Sequence, residues 1–504
     1  MNRYIYIFKS IWLFLLAIEL IVSSCSQERV RISKQLKTEI QIFPDYKEVT
    51  IPVNIAPLNF SVPDSGDYCL LIQGKGGEPI QVHSKEGLFD IPLKPWKRLL
   101  KENSGEQLEW IVARRVDGAW KAYLPFHTTV AKDSIDPYIA YRLLCLSNDM
   151  WNRMGIYQRD LEGYEQSVIY ENKLTDYNCV NCHTFPERDP RKFIFHMRGL
   201  HSGSVLMDGK KMVKLNTKTP ETISNFVYIY WHPEGRYLAV TTCSTYQHFF
   251  ANNPNTLEVL DHNADIFVYD TEKNELFSCE ALSSKDAWQT FPSFSPDGKS
   301  LYFSTCAAVD TLEKDFRKMT YSLCRISFDS ETRSFGQRVD TLYNGEKAGK
   351  SVSFARVSPN GKFLAFTLQE YGGFGVWHKD ADLYMLRLAD NKLYPLAQAN
   401  SDFGESYHTW SSNSHWLVFS SRRLDGCYTR PFFAYIDDEG EAHKAFLLPQ
   451  KNPAKFYRDL FYTYNLPEFL QEEARTDRHA IMHMMRDGQG RQVKYRSSQN
   501  LGED

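Results

Sequence analysis

Cysteine is scarce in this chain, at 10 of 504 residues. Three of the ten belong to two motifs considered below, and seven remain, so at least one thiol has no partner within the chain. Those in apolar runs, such as Thr242-Cys243 and Thr305-Cys306, are expected to be buried free thiols. The sequence therefore does not predict a disulfide-stabilised scaffold.

Basic runs and hydrolase signatures are also missing. The net charge is −3 and the pI about 6.5, which argues against nucleic acid as a partner. The chain has no G-x-S-x-G, H-E-x-x-H or P-loop motif. A peptidase with a propeller gate would need a catalytic domain after its blades, and only residues 451–504 follow the repeats described below. Binding is therefore favoured over catalysis.

The N-terminal segment has the proportions of a signal peptide. An apolar run from Ile11 to Val22 follows Arg3 and Lys9, and it is too short for a stable membrane span. It ends Val22-Ser23-Ser24-Cys25, which is typical of a bacterial lipobox. This pattern predicts removal of residues 1–24 and lipidation of Cys25; the alternative is an uncleaved anchor that happens to contain cysteine.

Residues 25–37 would then be a lipidated tether. No aspartate follows the lipidated cysteine, so the outer membrane is favoured over the inner membrane. A periplasm-facing orientation is expected, with the cell surface as the alternative.

The motif Cys179-Val180-Asn181-Cys182-His183 has the C-x-x-C-H spacing of a c-type haem site. Cys179 and Cys182 would bind the porphyrin covalently, and His183 would be the proximal iron ligand. A vicinal disulfide, half of a zinc site and a dithiol redox couple stay open as alternatives. No second ligand pair at zinc spacing appears. The distal candidates are His201 and, second, His196.

Short, turn-bounded strand patterns before the motif predict a β-sandwich over residues 38–135. Residues 136–190 show less alternation and are interpreted as a connector that carries the motif.

A recurring turn pattern dominates residues 191–450. It begins at Trp231, Phe294, Val357 and, in degenerate form, Trp410. The starts are separated by 294−231 = 63, 357−294 = 63 and 410−357 = 53 residues. Each copy places Pro, then Glu, Asp or Asn, and then Gly before an alternating strand, except the degenerate one, where serines replace Pro and Gly. Repeats of this kind predict an all-β chain with a six-bladed β-propeller over 191–450. Residues 451–504 would be a C-terminal extension.

The repeats resemble those of TolB-like, WD40-like propellers. The wider pattern is similar to a family of Bacteroidetes lipoproteins that combine a lipobox, a β-sandwich, one C-x-x-C-H and a TolB-like propeller, often labelled cytochrome c biosynthesis or TolB-like proteins. The matching stretches are Asn178 to Phe185, Phe195 to Gly199, Lys214 to Thr219, Ser421 to Arg423 and Tyr428 to Phe433. The resemblance implies the architecture, and TolB, a partner-binding propeller, adds an analogy for docking a protein.

Together these patterns predict an exported lipoprotein with one covalent haem c, a redox or electron-transfer role and a propeller that docks a protein partner. The alternative is a non-redox propeller scaffold that binds an envelope protein or a glycan, with the C-x-x-C structural. A third hypothesis is an enzyme that uses the haem on a small substrate.

Overall fold

The computed structural model describes residues 30–145, 152–250, 255 and 257–496. The predicted signal peptide and Cys25 lie outside these residues. Strands account for most of the secondary structure. Within the described ranges, no helix is long and apolar enough to cross a membrane.

The N-terminal domain is a seven-stranded sheet covered on one face by a much smaller layer, a two-stranded ribbon and one helix. Alternation along the longest strand turns Trp110 inward, where its ring stacks on Phe126 at 5.6 Å and meets Trp96 of the helix at 5.7 Å. The elements are β1 (Ile32–Gln35), β2 (Val49–Ile51), β3 (Phe60–Ser61), β4 (Tyr68–Gln73), β5 (Ile80–Ser84), β6 (Leu88–Phe89), α1 (Leu93–Glu102), β7 (Gln107–Val116), β8 (Ala119–Ala122) and β9 (Phe126–Val130).

Six sheets of four main strands follow and form the six-bladed propeller that the repeats predict. Blade one has β10 (Tyr138–Leu144), β11 (Met154–Asp160) and β12 (Gln166–Glu171); blade two has β13 (Cys179–Thr184), β14 (Lys192–Arg198), β15 (Gly203–Asp208) and β16 (Lys211–Asn216); blade three has β17 (Val227–Trp231), β18 (Tyr237–Phe249), β19 (Leu257–Asp270) and β20 (Glu275–Phe277). Blade four has β21 (Ala287–Phe294), β22 (Ser300–Ala307), β23 (Ser322–Asp329) and β24 (Ser334–Tyr343); blade five has β25 (Ser351–Val357), β26 (Phe363–Gln369), β27 (Asp382–Arg387) and β28 (Lys392–Pro395); blade six has β29 (Glu405–Trp410), β30 (Trp416–Ser421), β31 (Arg430–Tyr435) and β32 (Phe446–Leu447).

Short helices and the last strands complete the chain. They are α2 (Leu312–Asp315), α3 (Gly345–Ala348), α4 (Pro453–Arg458), β33 (Thr463–Leu470), α5 (Arg478–Asp487), β34 (Arg491–Gln492) and β35 (Lys494–Tyr495).

The ring is closed by a strand from the far end of the chain. β33 pairs antiparallel with β10, from Tyr138 opposite Leu470 to Leu144 opposite Thr463. It is the innermost strand of blade one. The six innermost strands, β13, β17, β21, β25, β29 and β33, contact one another in that order, and β33 returns to β13.

This closure changes the domain limits that the sequence suggests. Residues 136–190 are not a separate connector: they supply three strands of blade one and the inner strand of blade two. Residues 451–504 are not wholly an extension either, because β33 belongs to the propeller. Irregular strands without the Pro-Asp-Gly turn hid both from the repeat pattern.

The predicted turns are present. The Ser295 hydroxyl donates to the Asp297 carboxylate at 2.5 Å, which in turn accepts from the Lys299 N–H at 3.0 Å. Gly298 takes a positive φ of 71°, as the turn requires. In the degenerate copy Ser414 occupies the same left-handed conformation, with φ 68°.

The tail after β33 wraps around blades two and three. β34 extends blade two and β35 extends blade three, each by parallel pairing. The helix that precedes these two strands, α5, buries Ile481 and Met485 in the core that also contains Cys179. The tail therefore fastens the blade that carries the C-x-x-C-H motif.

The N-terminal domain packs on blade six. Trp416 and Phe433 of that blade share one apolar core with the N-terminal sheet. The Asp136 carboxylate accepts from the backbone N–H and the hydroxyl of Ser412, both at 2.7 Å. Blade one lies between blade six and the blade that carries the motif.

Candidate functional site

The C-x-x-C-H motif lies on β13 and faces the central channel of the propeller. In a regular strand, residues three apart point to opposite faces. Here a bulge interrupts the β13–β14 ladder between Asn181 and Thr184, and Cys182 adopts a left-handed φ of 51°. As a result Cys179, Cys182 and His183 all line the same cavity.

The same bulge recurs in all six inner strands. Each has one non-glycine residue at φ 49–54°, and together these residues are called the channel ring: Cys182, Tyr228, Phe291, Phe354, Tyr407 and Leu466. Consecutive aromatic rings of Tyr228, Phe291, Phe354 and Tyr407 lie 4.6, 4.4 and 4.6 Å apart. Phe374 reaches all four, at 5.5 to 6.4 Å. Cysteine is the smallest member of the ring, so space remains beside blade two.

That space is a cavity of about 1000 Å³, including its open mouth. Its walls are largely apolar and aromatic. Besides the motif they include Leu144, Met154, Leu257, Val259, Phe354, Phe374, Trp377 and Tyr407.

A buried polar contact stabilises the part of the cavity wall that β19 forms. Strands β18 and β19 continue past the other strands of blade three, so that Leu257 and Val259 reach the cavity. Between them Glu258 is buried and contacts His378 Nε2 at 2.8 Å, and the Tyr371 hydroxyl donates to it at 2.6 Å. The hydrogen bond with His378 keeps the pKa of Glu258 below its usual value despite burial. Blade three is thereby attached to blade five across the channel.

His183 is chemically suited to bind a metal centre. Burial, together with the nearby Arg142 guanidinium, lowers its pKa to about 3, so the imidazole is neutral at pH 7. Among the described residues neither ring nitrogen has a hydrogen bond of good geometry, although the Leu466 backbone lies close. A neutral imidazole with an unpaired nitrogen is the form that coordinates iron.

The two thiols of the motif are free. The disulfide that the spacing left open is not formed, and none of the nine described cysteines is in a disulfide. Burial raises the pKa of Cys179, and two guanidinium groups, those of Arg142 and Arg198, oppose that effect. As the sequence predicts, Cys243 and Cys306 are buried free thiols.

The two distal candidates lie elsewhere. The His201 ring contacts the Asp176 carboxylate at 2.7 Å in a surface loop. His196 is buried on β14, where its Nδ1 contacts the Ser204 hydroxyl at 3.0 Å. Neither lines the cavity. In the part of the chain that the structure describes, no three His, Cys, Asp or Glu side chains converge as ligands of one metal ion.

Three arginines line the cavity and were not singled out as site residues from the sequence: Arg142, Arg198 and Arg356. The Arg142 guanidinium donates to Asn181 Oδ1, which also accepts from the Cys182 N–H at 2.9 Å. Arg198 stands opposite Cys179 in the β13–β14 ladder. Only its pairing with Cys179 across the two strands could have indicated Arg198 as a site residue. That pairing cannot be deduced from the sequence before the strands are assigned.

Among the described residues of the cavity wall, the one acidic residue is Glu468, on β33. Burial raises its pKa to about 8, and contacts with Thr184 and Arg356 reduce that rise. One carboxyl oxygen has no partner among the described residues. Glu468 is therefore largely protonated at neutral pH.

We expect Glu468→Gln to remove a pH dependence of stability. The folded chain holds a proton between about pH 4.5 and about 8 that the unfolded chain releases, so the contribution of Glu468 to stability is full below pH 4.5 and is lost as pH rises towards 8. The loss is up to about 1.4 kcal/mol per pH unit. In urea unfolding, the free energy at pH 8 minus that at pH 5 should therefore be more positive for the variant than for the wild type.

Glu439→Gln, on the exposed surface, is the matched control and should follow the wild type. The same difference between pH 5 and pH 8 in Glu468→Gln as in the wild type would show that Glu468 does not contribute to it.

No protein-family model matches this chain, and no curated protein matches it. Among solved structures it is similar to puromycin hydrolase, at 10% identity and a TM-score of 0.37, over 62% of this chain and 45% of that one. It is also similar to prolyl oligopeptidase B from Galerina marginata, at 10% and 0.34, over 68% and 42%. The propeller domain of the Trilobed protease from Pyrococcus furiosus gives 13% and 0.31, over 67% and 94%. The chain thus spans less than half of the first two proteins.

Proposed function

We propose that this protein is a binding propeller whose channel cavity is its ligand site, and that the ligand is one haem attached through Cys179 and Cys182. The observation that carries the proposal is the shared cavity: both thiols and His183 open into it, and the imidazole is neutral and unpaired. The largely apolar walls suit a porphyrin.

In this proposal the residues that line the cavity have separate tasks. Cys179 and Cys182 would form the covalent attachment, and His183 would bind the iron from one side. Aromatic and aliphatic walls would keep water from the ligand, and the Glu258–His378 contact would hold the wall above it. When bound, the haem would supply one-electron chemistry, with the potential set by its surroundings.

The proposal includes export, because c-type haem is attached outside the bacterial cytoplasm. Lipidation of Cys25 would place the protein on the outer membrane, facing the periplasm. The propeller would dock a protein partner there. The exposed aromatic side chains of Tyr177, Tyr246 and Phe249 are candidates for that contact.

The experiment is a haem stain after denaturing electrophoresis, together with the intact mass, on protein exported in a strain competent for cytochrome c maturation. We expect a stain that survives denaturation and a mass gain of one haem. Both should be lost in Cys182→Ala. The same mass reports whether residues 1–24 are removed and Cys25 carries lipid.

Cys306→Ala is the matched control, because Cys306 is also a buried free thiol but lies outside the motif. It should keep stain and mass. Absence of both from the wild type, under conditions that load a known cytochrome, would rule out the haem proposal.

A second candidate is a non-redox scaffold that binds an envelope protein or a glycan. The equivalence of inner strands favours it: Cys182-His183-Thr184 occupies the positions of Tyr407-His408-Thr409 in blade six, and His408 is likewise buried without a good hydrogen bond among the described residues. In that case the motif is a variant of the inner-strand repeat, and no haem would be found.

A further inference from the structure

The charge of the channel cavity is unbalanced. Its wall carries the three guanidinium groups of Arg142, Arg198 and Arg356, and Glu468 is the single acidic residue among the described residues that line it. Glu468 is largely protonated at neutral pH, and burial raises the pKa of Asp261, the carboxyl behind the wall that interacts with Arg198. The described part of the wall therefore carries more positive than negative charge. Buried charge without a partner is costly, so such a wall favours an anionic ligand.

Arg198 is the least committed of the three. Among the described residues its side chain makes no hydrogen bond or ion pair, whereas Arg142 donates to Asn181 and Arg356 donates to the Ala355 carbonyl at 2.8 Å. Arg356 also lies over the Tyr230 ring at 4.6 Å. Arg142 and Arg356 are thus partly engaged by contacts within the fold, whereas Arg198 makes no such contact with the described residues.

The position of Arg198 follows from the ladder. It is the direct partner of Cys179, and side chains of directly opposed residues emerge on the same face, with Cβ atoms about 5 Å apart. Burial works against its charge, but the facing Cys182 and Cys179 raise its pKa, so it remains a cation. The guanidinium therefore lies beside the motif, inside the cavity.

We propose that the channel cavity is a carboxylate-binding site, with Arg198 as its principal cation and Arg142 as the second. Its ligand class is a flat apolar molecule that carries carboxylates. This deepens the proposed function and rests on it for the identity of the natural ligand, since the two propionates of a haem fit that class. The recognition itself requires neither iron nor a thioether bond.

The test uses metal-free mesoporphyrin IX and its dimethyl ester. Neither compound has a vinyl group, so Cys179 and Cys182 cannot form thioether bonds to it. Neither contains a metal, so His183 cannot coordinate it. The full chain, produced without haem-attachment machinery, is titrated with each and followed by porphyrin fluorescence. We expect the diacid to bind about tenfold or more tighter than the diester, as loss of a charge-assisted hydrogen bond implies.

Arg198→Gln should lose most of the preference for the diacid, and Arg198→Lys should retain much of it. Arg338→Gln is the control, because that side chain is 90% exposed on blade four and far from the channel wall. If Arg198→Gln does not fold, as judged by thermal unfolding, Arg142→Gln carries the same test.

Equal binding of diacid and diester, no binding of either, or an unchanged preference in the folded arginine variant would overturn the inference. Preferential diacid binding in a chain that never acquires covalent haem would sustain it while the haem proposal fails. Covalent haem without any diacid preference would do the reverse.

Discussion

A chain that ends at Leu460 is expected not to form a closed propeller. It lacks β33, so blade one loses its inner strand and the ring opens between blades six and two. Tyr464, Phe469 and Leu470 are fully buried, and each contributes about 1.5–3 kcal/mol by burial. With the ladder to β10 lost as well, the deficit approaches the whole stability of an ordinary domain, about 5–15 kcal/mol.

We therefore expect aggregation and the loss of a cooperative thermal transition, measured by circular dichroism and size-exclusion chromatography. The control is a chain that ends at Gly488. It keeps β33 and α5 and lacks only the two-residue strands β34 and β35, so it should remain monomeric with a modestly lower Tm. A monomeric, cooperatively unfolding chain that ends at Leu460 would show that β33 does not close the ring.

The blades that the sequence revealed are those with a strong local signal. A Pro-Asp-Gly turn dictates its own geometry, and the strand after it alternates, so four blades could be recognised from residues close together in the chain. Blade one has no such turn, and its inner strand comes from more than 300 residues later, at Thr463–Leu470. Pairing at that distance leaves no local pattern, which is why residues 136–190 were interpreted as a connector.

The spacing of its residues identified the motif in the sequence, but it did not indicate the structural surroundings of the motif. In the sequence, Cys182-His183-Thr184-Phe185 follows the spacing of Tyr407-His408-Thr409-Trp410, and only the shared bulge makes the equivalence visible. The bulge turns an odd separation, Cys179 to Cys182, into a shared face. Arg142 and Glu468 reach the cavity through strand pairing across the closure, and no arrangement of nearby residues could have indicated them. The choice of His196 and His201 as distal ligands rested on nearness in sequence, which strand pairing does not preserve.

Acid is expected to unfold the chain well above the pH at which its buried imidazoles are themselves protonated in the fold. Burial lowers the pKa of His183, His196 and His408 to about 3 in each case. The unfolded chain takes up all three protons near pH 6.5. The contribution of these histidines to stability is therefore full above pH 6.5 and is lost as pH falls towards 3, by up to about 1.4 kcal/mol per pH unit for each histidine.

The effect is measured as the free energy of urea unfolding between pH 8 and pH 4, and it is large because three such slopes add. His408→Leu should reduce the slope by one proton, since leucine of similar size replaces an imidazole whose ring nitrogens have no good hydrogen bond among the described residues. His479→Leu, on the exposed side of α5, is the control and should leave the slope as it is. The same slope in His408→Leu as in the wild type would mean that this imidazole does not govern acid unfolding. It would also mean that burial between the blades does not keep the imidazole neutral.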